Sequence, residues 1–391
     1  MRDMIYLDNA ATSFPKPQQV YDYMCEFYKT LGVNPGRSGY DASLEAEEMV
    51  LGTRKMLMEF FGGTTCNRLT FSYNASDSLN MIIQGMTEKG DHVITTNVEH
   101  NSVLRPLYHL KHDGVIEVTY VPFDEAGYVD PDGIKKAIKR NTKMVVVNHG
   151  SNVIGTVQPI GEIGRICREA GVYFAVDASQ TAGTQRIDVG KMNVDLLAFT
   201  GHKCLLGPTG IGGSYVGDEV PIRSTRYGGT GVRSAHPFHL EEFPYRMECG
   251  TLNVVGVAGL RAGLEWLLDR GVESVYREEM RLWKKLRDGL AAIDGVTLHC
   301  AESVQHHLAV LSFNIEGWEA GDVGTMLDVD HGIACRTGLQ CAPLVHVQIG
   351  TDKIHGTVRL SIGPFNTEEH IDRAIEAVGE IAAIKRPATR V

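Results

Sequence analysis

The chain has 391 residues, a formal net charge of −10, 43% hydrophobic residues and 22% charged residues. This acidic balance argues against a nucleic-acid surface, which needs clustered Lys and Arg. No apolar run approaches the length of a membrane span, and the length predicts a large domain joined to a smaller one.

The first residues, MRDMIYLDNAATSFPKP, lack the apolar stretch of a secretory signal. The eight cysteines (Cys25, Cys66, Cys167, Cys204, Cys249, Cys300, Cys335 and Cys341) are scattered and form no C-x-x-C pair. A chain this long needs no disulfide staples. The expectation is a reducing cytoplasm, without structural zinc or another metal.

An amphipathic helix is expected over Leu44–Phe61. Short apolar runs then alternate with helical stretches. The predicted strands are Arg68–Ser72, His92–Thr95, Ile116–Val121, Met144–Asn148, Val172–Asp177, Asp195–Thr200 and Gly212–Val216. Several are apolar throughout, as strands buried on both faces must be. Helices fit over Ser78–Met86, Val103–His112, Pro131–Lys139 and Ile160–Glu169. Alternation of this kind predicts an α/β layer fold around a mostly parallel seven-stranded sheet.

Beyond Asn253 two long helical stretches, Val254–Arg270 and Val272–Ile293, precede strands at Val296–His299, Val310–Ile315 and Thr357–Ser361, then a last helix from Thr367. This pattern predicts a small α+β domain over residues 254–391, after a large domain over residues 1–253. The N-terminal segment is expected to pack on the small domain.

Seven segments hold candidate chemistry. In FSYNASDSLNMI a strand passes into a helix, so Ala75 and Ser76 can offer free N–H groups to a phosphate; simple capping by Asn74 or Ser76 fits as well. In TTNVEHNSV, His100 stands between a strand and a helix. It can cap that helix, or it can stack on a cofactor ring and relay protons. In HGSNVIGT, Asn152 is either a loop residue or an amide donor to a phenolic oxygen. In YFAVDASQT, Asp177 ends an apolar strand. A carboxylate there must be paired, and both a turn contact and a protonated pyridine nitrogen would serve.

In FTGHKCLLGPTG, Lys203 follows a buried strand, where α/β sheets place ligands. Desolvation there eases loss of the amine proton and so imine formation, although a G-H-K tripeptide by itself also fits a surface loop. In ACRTGLQCAP, Cys341 lies in a loop with Arg336 nearby. A thiolate favoured by Arg336 would be nucleophilic, while an inert cysteine fits the residue type equally. In GTVRLSIGPF, Arg359 sits inside a strand and needs either a substrate carboxylate or a structural ion pair.

Together, and in this order, the segments resemble the class V aminotransferase superfamily of pyridoxal 5′-phosphate (PLP) fold type I. More narrowly they are similar to cysteine desulfurases and selenocysteine lyases of group II (Suf/Csd type). The resemblance runs from IYLDNAAT to RLSIGPFNTEEHID. It implies that Lys203 carries PLP, that Asp177 pairs the pyridine nitrogen, and that His100 stacks on the ring. It further implies that Gln180 and Asn152 contact the phenolic oxygen and that Ala75, Ser76, Thr200 and His202 hold the phosphate. In the E-x-G-T-x-N segment, Thr251 would reach the partner's phosphate site in a homodimer. Arg359 would bind the substrate carboxylate beside Arg336, and Cys341 would accept sulfur.

The implied reaction converts L-cysteine to L-alanine and leaves a persulfide on Cys341, for delivery to an acceptor protein. A selenocysteine lyase acting on L-selenocysteine, or a class V aminotransferase or hydrolase, are the alternatives. Two departures stand out. The segment NPGRSGY (Asn34–Tyr40) lacks the histidine usual before its arginine, and Gln340 replaces the histidine usual before the cysteine.

Overall fold

The computed structural model describes residues 4–36, 40–300 and 302–384. The order is β1 (Ile5–Tyr6), α1 (Gln18–Leu31), α2 (Asp41–Phe60), β2 (Leu69–Ser72), α3 (Ala75–Met86), β3 (Asp91–Thr96), α4 (Asn101–His112), β4 (Ile116–Val121), α5 (Pro131–Ala137), β5 (Thr142–Asn148), α6 (Ile160–Ala170), β6 (Tyr173–Asp177), β7 (Leu196–Thr200) and β8 (Gly212–Val216). Then come α7 (Val254–Arg270), α8 (Val272–Ala291), β9 (Val296–His299), β10 (Val310–Ile315), α9 (Ala320–Val329), β11 (Ile333–Ala334), β12 (Arg336–Gly338), α10 (Pro343–Ile349), β13 (Thr357–Ser361) and α11 (Glu368–Ala383).

Strands β2 to β8 form one seven-stranded sheet in the order β2-β8-β7-β6-β5-β3-β4. Its pairs are parallel except those of β8, which runs antiparallel to both neighbours. The unbroken apolar runs have a plain cause. Met144, Val146, Ala175, Leu196 and Ala198 pack on one face with α3 and α4. Val145, Val147, Phe174, Val176, Leu197 and Phe199 pack on the other with α2, α6 and α7. Side chains alternate along each strand, so helices on both faces demand apolar residues at every position.

A second core gathers α8, α9 and α11 over an antiparallel sheet of order β12-β13-β10-β9. The N-terminal strand belongs here: β1 pairs with β11 in parallel, and Ile5 and Leu7 enter this core. The two cores interleave around the boundary expected after residue 253, and Ala342 and Val345 also enter the large core. Helix α7 gives Val257, Ala258, Leu260 and Leu264 to the large core, and the second core starts with α8. Glycine explains the docking of α7. A Cβ at Gly263 would stand 2.5 Å from the Leu205 carbonyl oxygen, so only glycine admits the loop that follows Lys203.

One buried ion pair ties the segment before α7 to the sheet. Arg54 donates to Glu248 Oε1 at 2.7 Å and Oε2 at 3.0 Å, and Glu248 Oε1 also accepts the Phe71 N–H at 2.6 Å. The two residues are 2% and 8% exposed. Replacing Glu248 by Ala strands a buried guanidinium and is expected to cost about 3–5 kcal/mol. Denaturant unfolding of the variant checks this, and an unchanged midpoint would contradict it.

Candidate active site

The site begins where three strands stop. Asn148 pairs with Asp177, and Asp177 pairs with Ala198, so the carboxyl ends of β5, β6 and β7 lie side by side. Asp177 Oδ1 accepts the Ser179 N–H at 2.9 Å and the Ser179 hydroxyl, which leaves Oδ2 for a ligand. Beneath the strand ends lies Glu99, fully buried. It accepts Thr96 Oγ1 at 2.6 Å and the Asn148 N–H at 2.9 Å, and burial pushes its carboxyl up to about 8. The sequence reading passed over Glu99, because nothing in its spacing marks a buried carboxyl.

Lys203 follows β7 in the turn Gly201-His202-Lys203. The N-terminal segment clamps this turn: the His202 carbonyl accepts Thr12 Oγ1 at 3.0 Å, the Ser13 N–H at 3.1 Å and Lys16 Nζ at 2.6 Å. Ser13 Oγ donates to the Lys203 carbonyl at 2.9 Å. Burial pushes the Lys203 ammonium down toward the neutral amine, while the Asp177 carboxylate pulls it back up.

His100 caps α4. Its Nδ1 accepts the Ser102 N–H at 3.0 Å, so the neutral ring carries its proton on Nε2. Burial, followed by the Lys203 charge, lowers its pKa to about 4. Asn74 caps α3 by accepting the Asp77 N–H at 3.0 Å, as one of the two sequence readings allowed. The N–H groups of Ala75 and Ser76 stand in the first helical turn, where no intrahelical partner exists. The cap satisfies the Asp77 N–H and leaves those of Ala75 and Ser76 open to an anion.

On the small-domain side, Arg359 Nη2 meets Asp8 Oδ1 at 2.7 Å and Arg336 Nη2 meets Asp8 Oδ2 at 3.0 Å. One buried carboxylate thus holds both arginines. Asp8 was not singled out from the sequence, since its partners lie more than three hundred residues along the chain. Arg359 Nη1 also donates to the Asn152 carbonyl at 2.8 Å. The Asn152 amide donates to the Gln340 carbonyl at 2.7 Å, and the Gln180 amide donates to the Ala10 carbonyl at 2.8 Å. Each amide nitrogen keeps a second hydrogen for a ligand. Cys341 is exposed in the four-residue loop between β12 and α10.

A cleft of about 410 Å³ joins these groups. Ala75, Ser76, His100, Asn152, Asp177, Gln180, Thr200, His202, Lys203, Arg336, Cys341 and Arg359 all line it. Thr251 does not. It lines a separate cleft with Tyr73 and Arg226. The histidine missing from NPGRSGY would stand at Gly36, whose φ is +126°, while Arg37, Ser38 and Gly39 lie outside the described residues.

Four buried polar atoms lack a protein partner at this cleft: Thr200 Oγ1, His202 Nδ1, Asn152 Oδ1 and Arg359 Nε. Buried polar groups without partners are rare in native folds. Here they surround a lysine, a carboxylate and a helix start. That set fits a ligand with a phosphate at one end, a carbonyl for the lysine and a basic ring nitrogen for Asp177, which are the features of PLP.

Comparison with known proteins agrees with this geometry. The family profile "Aminotransferase class-V" matches residues 5–374. The chain is 36% identical to a probable cysteine desulfurase of Methanothermobacter thermautotrophicus, over 98% of this chain and 96% of that one. It is 32% identical to the cysteine desulfurase IscS of Clostridium botulinum, over 99% and 96%. Among solved structures, the apo cysteine desulfurase of Thermococcus onnurineus superposes with a TM-score of 0.91 at 34% identity, covering 97% and 95% of the two chains. The cysteine desulfurase CsdA of Escherichia coli gives 0.86 at 28% identity, covering 96% and 94%. The chain belongs to the class V aminotransferase family.

Proposed function

We propose that this protein is a PLP-dependent cysteine desulfurase that converts L-cysteine to L-alanine and holds the sulfur as a persulfide on Cys341. One observation carries the reading. Lys203 and Cys341, from different parts of the chain, line one cleft together with Asp177 and Arg359. The relatives of similar length that bear this name support it.

PLP, when bound, supplies an electron sink for the substrate Cα, which lets the bond from Cβ to sulfur open. Ala75, Ser76, Thr200 and His202 hold its phosphate, Asp177 its ring nitrogen, and Gln180 and Asn152 its phenolic oxygen. His100 covers the ring, with its proton on Nε2. Arg359 and Arg336, aligned by Asp8, take the substrate carboxylate. Lys203, driven toward its neutral form, accepts the Cα proton. The Cys341 thiolate attacks the substrate sulfur. A sulfur–sulfur bond forms as the carbon–sulfur bond opens, and the electron pair stays with the carbon fragment. That fragment takes up a proton at Cβ, regains at Cα the proton held by Lys203, and leaves as alanine. Cysteine and a thiol become alanine and a persulfide, so no outside oxidant is needed.

The same reading includes a homodimer, a sulfur-acceptor protein and a cytoplasmic site of action. Thr251 supports the first, since it lines a second cleft rather than the one that holds Lys203. The exposure of Cys341 suits hand-over of sulfur to another protein. The four-residue loop supports the group II assignment.

Three outcomes are expected. Lys203→Ala should abolish the visible absorbance that the purified protein shows with PLP, and an unchanged spectrum would refute the role of Lys203. Cys341→Ala should keep that absorbance but lose alanine formation from cysteine by about a hundredfold or more, a nucleophile's share of the barrier; full alanine production would refute the persulfide step. His100 should stay neutral as the pH falls from 6.5 to about 4. Because its folded pKa is depressed, its contribution to stability is present above 6.5 and is lost over that window. Nitrogen NMR of the imidazole checks this, and protonation near pH 6.5 would contradict it.

A further inference from the structure

The cysteine loop has an unusual backbone. Gln340 and Cys341 are consecutive non-glycine residues in the left-handed region, with φ of +41° and +60°. L side chains rarely adopt that region, and such residues persist only where surrounding contacts over-determine them. The contacts are present. The Gln340 carbonyl accepts Asn152 Nδ2 at 2.7 Å, and the Cys341 carbonyl accepts the Asn101 N–H at the start of α4 at 2.7 Å.

The third anchor is the Gln340 side chain, which is 8% exposed. Its Nε2 donates to the Thr357 carbonyl at 2.9 Å, so Oε1 is the acceptor. His346 Nε2 lies 2.8 Å from that Oε1 and must be the donor. His346 Nδ1 then accepts the Thr351 hydroxyl at 2.8 Å. Every polar atom of this buried chain has a partner, and only one tautomer of His346 satisfies it. Thr357 stands two residues before Arg359 in β13, and Gly338 and Arg336 of β12 pair with these two positions.

We propose that Gln340, braced by His346 and Thr357, is a positioning residue that fixes the turn at Cys341 and presents the thiol to the cleft in register with Arg359. This rests on the desulfurase reading, with Cys341 as the sulfur acceptor. Sulfur transfer demands close alignment of two sulfur atoms, and a thiol on a loose loop would lose that alignment. The brace acts on the loop and touches no reacting atom.

Gln340→Leu removes these two side-chain bonds and a longer third one, in which Oε1 accepts the Thr357 hydroxyl at 3.4 Å, and nearly preserves volume. Gln340→His restores the two shorter bonds, because one ring nitrogen can accept from His346 while the other donates to the Thr357 carbonyl. With PLP bound, Gln340→Leu should lower kcat for alanine formation by about tenfold or more, with KM for cysteine within about twofold and the visible spectrum kept. Gln340→His should recover most of kcat. Amide hydrogen exchange should quicken in the peptide spanning residues 338–343 of the Leu variant and return to the native rate in the His variant.

A Leu variant with native kcat, or with native exchange in that peptide, would overturn the proposal. Should the Leu variant fail to fold, Thr351→Val loosens only the far end of the brace. It should show smaller changes in the same direction, and no change in either readout would overturn the proposal. The exchange readout does not depend on the reaction. Native protein that forms no alanine from cysteine would refute the desulfurase reading, whereas unchanged exchange in Gln340→Leu would refute the brace.

Discussion

Parallel pairing of β5, β6 and β7 sets Asn148 and Asp177 side by side at the carboxyl edge of the sheet, in line with Ala198, two residues before β7 ends at Thr200. The rest of the site is arranged around that line. Asp177 can remain buried there because Ser179 bonds one oxygen and a ligand can take the other. Lys203 follows from the next strand in the same row, and its amine feels the Asp177 charge against its own desolvation. A carboxylate and an amine thus share one edge. The helix starts of α3 and α4 add N–H groups and a neutral imidazole above it. The sheet provides the geometry, and burial on both faces makes it rigid.

The second half of the site comes from elsewhere in the chain. Asp8 lies just beyond the strand that joins the N-terminus to the small core, and it holds Arg336 and Arg359 with its two oxygens. The next residues of the same segment, Thr12, Ser13 and Lys16, bond the carbonyls of the Lys203 turn. One short stretch therefore ties the lysine to the arginines across two cores. Asn152 makes a second tie, accepting from Arg359 through its carbonyl and donating to the cysteine loop through its amide. The thiol, the guanidinium and the amine are fixed by contacts that converge from both domains, as a reaction between preplaced groups requires.

Much of this was legible in the residues. All seven predicted strands of the large sheet are present, since apolar runs bounded by turns have few other uses in an alternating chain. The position of β8 in the sheet order, and its antiparallel direction, were not readable from its composition. The packing of α7 was not readable either: it follows the change in pattern yet buries its glycine-rich surface in the large core. Lys203, Asp177, His100, Arg359 and Cys341, which stand out in the sequence at strand ends, inside a strand or in a short loop, line one cleft. Asp8, Glu99 and His346 gave no such signal. Each matters through partners distant in sequence or hidden by burial, and only folding brings those partners together. Gln340 was noticed as a substitution, and its bonds explain how a glutamine can serve there.

The central claim is that the thiol at position 341 receives sulfur in the cleft that holds the lysine. Mass spectrometry of the Cys341 peptide, after brief exposure of the PLP-loaded protein to L-cysteine, tests it most directly. The account predicts a peptide heavier by a single sulfur atom, released by reductant, with an equivalent of alanine formed alongside. Alanine formed while the Cys341 peptide keeps its original mass, with the sulfur on another cysteine or on none, would contradict it.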